Sequence, residues 1–182
     1  MTLIMHKEEK LSSSCVYSGH IINVYSDTVT LENGAAAPRD VVRHKGAVAV
    51  APVTDDGELI FVRQFRYPVS RELLELPAGK RDSENEEPLS CCVRELEEET
   101  GYRAERITHV GGFIASPGFC DERIELFVAE GLTKGCSHPD EDEFLDVVTI
   151  PVERAVEMVM SGEIEDGKTQ ALILKTALFL KK

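Results

Sequence analysis

The sequence predicts an α/β fold: a mixed β-sheet with helices on its faces, preceded by a small antiparallel β lobe. Three observations carry this reading. Gly46-Ala47-Val48-Ala49-Val50-Ala51-Pro52-Val53 is an apolar run of strand length, as expected where a strand is buried on both faces. The stretch from Glu86 to Gly101 carries helix signals: Glu86 opens it, Pro88 stands in the first turn and Gly101 takes the C-cap position. Strand-like segments then lead into two helices that close the chain.

The N-terminal lobe is expected over residues 1–45, with strands at Ile21–Tyr25, Asp27–Leu31 and Arg39–His44. Asn33-Gly34 is a strong hairpin turn signal within it. The main domain, 46–182, follows without a linker. Asp55-Asp56-Gly57 turns the chain into a strand over Glu58–Phe65, and Glu72–Leu76 makes a short strand ending at Pro77-Ala78-Gly79. On the central helix, Leu89, Cys92, Val93, Leu96 and Thr100 form the arc expected to pack on the sheet. Ile107–Ile114, Ile124–Ala129 and Phe144–Ile150 read as strands. Val152–Ser161 reads as a helix stopped by Gly162. A last helix spans Asp166–Lys182, with Ala171, Leu172, Leu174, Leu178 and Phe179 as its apolar positions.

A chain of 182 residues suggests one domain, with room for a small extra lobe. Its net charge of -13 argues against a nucleic-acid partner or an anionic membrane surface, but not against a phosphorylated small molecule, because bound cations invert the local field. No apolar run reaches the length of a membrane span, and the start is too soon charged for a secretory signal. The five cysteines (Cys15, Cys91, Cys92, Cys120, Cys136) show no Cys-x-x-Cys spacing, so reduced thiols in a cytoplasmic protein are expected. For Cys91 and Cys92, packing is a better account than chemistry.

The chemistry concentrates on the central helix. At roughly 100° per residue, Glu95, Glu98 and Glu99 share one arc, and such carboxylates repel one another unless a cation sits among them. Hard oxygen donors suit Mg2+ or Mn2+. A Glu-rich helix face can equally be a solvated surface. The surrounding residues separate the two readings. Gly79-x6-Glu86-x7-Arg94-Glu95-Leu96-x-Glu98-Glu99-x-Gly101-Tyr102 strongly resembles the Nudix box. The loop between Gly79 and Glu86 is one residue longer than the family pattern, an insertion around Asp82–Asn85. Glu86 keeps its spacing to Arg94 and is taken as the match, with Glu84 as the alternative.

The resemblance implies a Nudix-type α/β/α sandwich and hydrolysis of a nucleoside diphosphate linked to another group. It assigns metal contacts to Glu95, Glu98, Glu99 and the backbone carbonyl of Ala78, with Mg2+ as the expected ion and Mn2+ as its substitute. Arg94 would pair with Glu86 and orient the metal carboxylates. Alone, Arg94 would be an exposed ion pair with Glu98, typically worth only about 0.3–0.5 kcal/mol. Gly79, Glu86 and Gly101 hold the box in shape.

Substrate signals lie outside the box. Arg63 and Arg66 leave the end of a strand near it, and arginine is well built for bidentate phosphate contact. Both could also be plain surface residues. Ser116-Pro117-Gly118-Phe119 is a turn signal. Pro117 stands fifteen residues after Tyr102, and a proline at that distance marks the ADP-ribose pyrophosphatase branch of the family. With Glu75-Leu76-Pro77-Ala78-Gly79 and Gln64-Phe65-Arg66, the resemblance covers most of residues 40–150. It implies cleavage of ADP-ribose, or a related ADP-sugar, to AMP and ribose 5-phosphate.

In this branch a glutamate of the acidic loop serves the attacking water. Glu143 is the first choice in Pro139-Asp140-Glu141-Asp142-Glu143-Phe144 and Glu141 the second, although such runs are usually solvated. The branch also implies a homodimer with an exchanged N-terminal lobe. Arg39 and Ile21 would then border the adenine, and Glu75, Ser116, Gly118 and Glu122 would join the substrate site. Arg39 can stack on a ring, but it could equally be a strand-edge residue. The competing readings are a pyrophosphatase for another nucleoside-diphosphate sugar such as GDP-mannose, and a non-catalytic nucleotide-sensing module. Such modules usually lose box acids, and this chain keeps them.

Overall fold

The structure, a computed structural model, describes residues 6–135 and 144–181. The chain forms two compact units. The first contains the described residues up to His44 together with Ile114–Arg123, so it draws on two separate stretches of chain. Strands β1 (Glu9–Ser18), β2 (Asn23–Thr30) and β3 (Ala36–Arg43) make an antiparallel sheet in that order. β2 runs unbroken through Ser26, where the sequence suggests two strands, because Ser26 is paired on both sides, with Ser14 and Asp40. β1 is exposed along its whole length, so it carries no apolar alternation by which to read it. At the hairpin, Gly34 adopts φ 82 and the Asn33 side chain accepts from the Ala35 N–H at 3.0 Å. The second stretch docks on β3: Val42 N–H donates to the Phe119 carbonyl at 2.7 Å, and Asp121 accepts from Arg43 and from the His44 N–H.

The second unit, Lys45–Phe113 with Ile124–Lys182, holds two sheets and three α-helices among its described residues. β4 (Ala47–Pro52), β7 (Ala78–Lys80), β8 (Tyr102–Ile114) and β9 (Arg123–Lys134) form a mixed sheet in the order β7-β4-β9-β8, with β4 parallel to β9. β5 (Glu58–Arg66), β6 (Arg71–Glu75) and β10 (Leu145–Pro151) form a second sheet in the order β10-β5-β6. β7 has only three residues, too short for any periodicity to announce it.

Every residue of β4 is buried, and its side chains divide strictly by face. Val48 and Val50, with Phe127 of β9, pack against α1 (Pro88–Thr100) through Cys91, Cys92 and Leu96. Ala47, Ala49 and Ala51, beside Ile124, Leu126 and Val128, face Leu59 and Phe61 of β5 and the helices α2 (Val152–Ser161) and α3 (Gly167–Phe179). The second unit is thus a sheet layer with α1 on one side and α2 and α3 on the other, the α/β/α arrangement expected. Small alanines on the second face let two elements approach closely.

Two helical faces differ from the apolar pattern. α1 buries Cys91, Cys92, Glu95, Leu96, Glu99 and Thr100, while Leu89 and Val93 are about half exposed at 50% and 46%. Two carboxylates take the place that hydrophobicity reserves for apolar residues. α3 buries Thr169, Leu172, Ile173 and Thr176, leaving Leu178 at 67% exposure and Leu174 at 38%. Thr169 and Thr176 tolerate burial because each hydroxyl is bonded, Thr169 to the Leu76 N–H and Thr176 to the Leu172 carbonyl. Among the described residues no helix is long and apolar enough to cross a membrane.

Candidate active site

The acids gather where α1 crosses the Ala78–Gly79 backbone. α1 starts at Pro88 with Glu87 as its N-cap residue, one position later than the sequence suggests. It ends at Gly101, whose φ of 72 closes the helix in the left-handed region that glycine adopts without strain. Glu99, 1% exposed, accepts a hydrogen bond from the Ala78 N–H at 3.0 Å. Glu95, 8% exposed, lies against Gly79 so closely that a Cβ there would fall 1.9 Å from its carboxylate. Gly79 does not have positive φ. Its missing side chain makes room for the Glu95 carboxylate, which is why the box needs glycine at this place.

Arg94 binds the acids from the other side. Its Nη1 donates to Glu95 Oε1 at 2.7 Å and Glu98 Oε2 at 2.9 Å, and its Nη2 lies 3.5 Å from Glu86 Oε1 and 3.3 Å from the Lys80 carbonyl. Those charges hold the guanidinium firmly protonated despite the penalty of burial. Arg94 therefore does more than form the surface i, i+4 pair. It neutralises Glu95 and Glu98 and fixes the direction of both.

The loop with the extra residue folds back on itself. Arg81 donates to the Glu86 and Glu84 carbonyls, Glu86 accepts from the Asp82 N–H at 2.6 Å, and Lys45 donates to the Asp82 carbonyl. Glu86 is the residue that reaches Arg94, whereas Glu84 is exposed. The insertion lies in the turn that these bonds close, before α1 begins at Pro88.

Among the described residues, no three acids, histidines or cysteines converge closely enough to enclose a metal ion. The donor set nevertheless fits a hard divalent cation. Two buried carboxylates and one half-buried one lie on adjoining turns, and two of them meet the backbone at Ala78 and Gly79. The groups that would hold the ion are Glu95, Glu98, Glu99 and the Ala78 carbonyl. Cys91 and Cys92 are not competing soft ligands: burial pushes both thiols up to about 12, in keeping with their packing role.

A second charged cluster adjoins the first. Arg66, at the end of β5, grips Glu75 of β6 with both arms of its fork, Nε to Oε1 at 2.7 Å and Nη2 to Oε2 at 2.8 Å. Lys168 of α3 donates to the same Oε2 and stands 3.0 Å from Asp166. Arg66 also feels the charge of Glu99, which ties this cluster electrostatically to the acids of α1. Nothing in the sequence marks Lys168, because it meets Glu75 across 93 residues. Arg63 is exposed on β5 opposite Asp146.

Burial alone would raise the Glu75 carboxyl, but the Arg66 hydrogen bonds and the Lys168 charge outweigh it and bring it down to about 2. The ordinary value is 4.5. A depressed folded value means that this stabilisation is complete above about pH 4.5 and is lost as pH falls through about 2. Glu75→Gln is therefore expected to be less stable than wild type by about 3 kcal/mol at neutral pH, the linkage of a carboxyl held at about 2 in place of 4.5. The gap should close by pH 2. Chemical denaturation at several pH values measures it, and a constant gap across that range would exclude the assignment.

In the first unit, Arg39 is paired with Glu8, through Nε at 2.9 Å and through Nη2. It lines a cavity with Asp27, Arg43, Pro117, Gly118 and Phe119. Asp27 is buried at 4% exposure; its Oδ2 lies 3.6 Å from Arg43, and its Oδ1 has no hydrogen-bond partner among the described residues. Ser116 shapes the loop, its carbonyl accepting from Phe119 and Cys120. Glu122 stands 3.5 Å from His44. Ile21 is 62% exposed, and neither it, Ser116 nor Glu122 lines the cavity. Glu141 and Glu143, the candidates for the base, lie outside the described residues.

Comparison with known proteins adds to this geometry. The NUDIX domain pattern matches residues 43–171. An ADP-ribose pyrophosphatase of Bacillus subtilis (strain 168) is 44% identical over 97% of this chain and 98% of its own length. A methanol dehydrogenase activator of Bacillus methanolicus is 38% identical, with 96% and 97% covered. A GDP-mannose pyrophosphatase of Citrobacter koseri is 33% identical, with 80% and 81% covered. In fold, the chain matches a crystal structure of an ADP compounds hydrolase at a TM-score of 0.86 and 20% identity, over 99% of this chain and 97% of the other.

Proposed function

The chain belongs to the Nudix family as a pyrophosphohydrolase, and from that premise we propose that it cleaves the pyrophosphate bond of ADP-ribose to AMP and ribose 5-phosphate with Mg2+. The observation that carries the chemistry is the meeting of Glu95 and Glu99 on the Ala78–Gly79 backbone. The choice of ADP-ribose is supported by the Bacillus subtilis relative, whose similarity runs over almost the whole of both chains.

Glu95, Glu98, Glu99 and the Ala78 carbonyl would hold the metal, which when bound would supply neutralisation of the pyrophosphate oxygens and activation of a water for in-line attack. Arg94 keeps Glu95 and Glu98 pointed at one place. Arg66 contacts the diphosphate through Nη1, for which no partner is found among the described residues. Glu143, with Glu141 as its alternative, takes the proton of the attacking water. The chain works as a cytoplasmic homodimer in which Arg39 and Ile21 border the adenine and Glu122 contacts the substrate. The GDP-mannose pyrophosphatase relative favours a second reading, in which another nucleoside-diphosphate sugar is preferred.

The deciding measurement is a substrate panel with product identification: ADP-ribose, ADP-glucose, GDP-mannose and NADH, each with Mg2+ and with EDTA. ADP-ribose should lead in kcat/KM by at least about tenfold, and chelation should stop turnover. A lead by GDP-mannose would establish the second reading. No cleavage of any substrate would point to a nucleotide-sensing module.

A further inference from the structure

The first turn of α3 carries its own cap and is fastened at two points to the chain where β6 ends. Asp166 caps the helix by accepting from the Thr169 N–H at 2.9 Å. The Thr169 hydroxyl accepts from the Leu76 N–H at 3.0 Å. Between them Lys168, with only 14% of its side chain exposed, donates to Glu75 Oε2. Glu75 itself is 1% exposed, and its two oxygens carry three donor groups: Arg66 Nε, Arg66 Nη2 and Lys168 Nζ.

We infer that Lys168 is a positioning residue for Arg66, acting through Glu75; this rests on the reading that Arg66 contacts the diphosphate. One physical effect carries it. The bond from Lys168 to Oε2 fixes the Glu75 carboxylate plane. A bidentate arginine must lie in register with that plane, so Nη1 is held facing outward. Lys168 touches neither substrate nor metal in this arrangement. It determines where Arg66 presents its free edge.

The test is steady-state kinetics at saturating Mg2+ on Lys168→Met, Lys168→Arg, Arg66→Ala and Arg66→Ala/Lys168→Met, alongside thermal unfolding. Lys168→Met is expected to raise KM about tenfold with kcat within about twofold, the signature of lost binding shared by ground and transition states. Lys168→Arg, which keeps the charge, should recover to within about threefold of wild type. In the Arg66→Ala background, Lys168→Met should add less than about twofold, because coupled residues are non-additive. An unchanged KM in Lys168→Met overturns the inference, as does an equal KM rise with and without Arg66. Should Lys168→Met fail to fold, Glu75→Gln/Lys168→Met leaves no carboxylate unmatched and is expected to show the same raised KM; a wild-type KM there also overturns it. Should the wild type cleave nothing, the functional reading fails. The inference is then judged on ADP binding by calorimetry, where Lys168→Met should weaken binding about tenfold and equal affinity counts against it.

Discussion

Glu99→Gln is expected to lower kcat by at least about 10³-fold, since losing a metal carboxylate forfeits several kcal/mol of transition-state stabilisation at 1.36 kcal/mol per decade. The fold should survive, with the unfolding midpoint moved by no more than a few degrees. Glu99 is buried and accepts a hydrogen bond from the Ala78 N–H at 3.0 Å. A glutamine keeps an oxygen for that bond and nearly the same volume, so the packing of α1 on the sheet is preserved. What it loses is the negative charge, and with it a hard ligand. Glu98→Gln should act in the same direction, although Glu98 is more exposed and is already balanced by Arg94 at 2.9 Å. Stopped assays at saturating Mg2+, paired with circular dichroism melts, check both. Wild-type turnover in both variants would remove these acids from the metal site.

The sequence marks the box acids well because their chemistry is local to one helix and its preceding turn. Pro88 and Gly101 bound that helix, and the continuous apolar run of β4 announces a strand buried on both faces. What it misreads, it misreads for a physical reason. Hydrophobicity places Leu89 and Val93 inward, yet α1 is rotated so that Glu95 and Glu99 face the backbone at Ala78 and Gly79. A carboxylate is stable there only because an N–H, an arginine and a glycine gap receive it, and none of these is visible in a periodicity. Lys168 is missed for a related reason. Its partner lies on another sheet strand, and only the folded chain brings α3, β5 and β6 to one carboxylate. Leu174 and Leu178 fit the apolar spacing of α3 but are outside, while Thr169 and Thr176 are buried because their hydroxyls are bonded.

Gly79→Ala separates stability from activity most sharply. A methyl group there would lie 1.9 Å from the Glu95 carboxylate, far inside contact distance, so the carboxylate has to move. The atoms it meets are the end of a flexible side chain and not backbone, and α1 need not shift with them. The stability cost is therefore that of modest overpacking, about 1–3 kcal/mol. The functional cost is larger. Glu95 is pinned on one side by Arg94 at 2.7 Å and on the other by the open face of Gly79, and displacing it by even an ångström breaks the shared orientation of the acids. Misplacement of that size is expected to lower kcat at least about 10²-fold. Mn2+ affinity, read by electron paramagnetic resonance without any substrate, should fall in the same variant. A Gly79→Ala protein that binds Mn2+ and turns over like wild type would show that the Glu95 carboxylate serves elsewhere, and the metal site would have to be rebuilt from Glu98 and Glu99 alone.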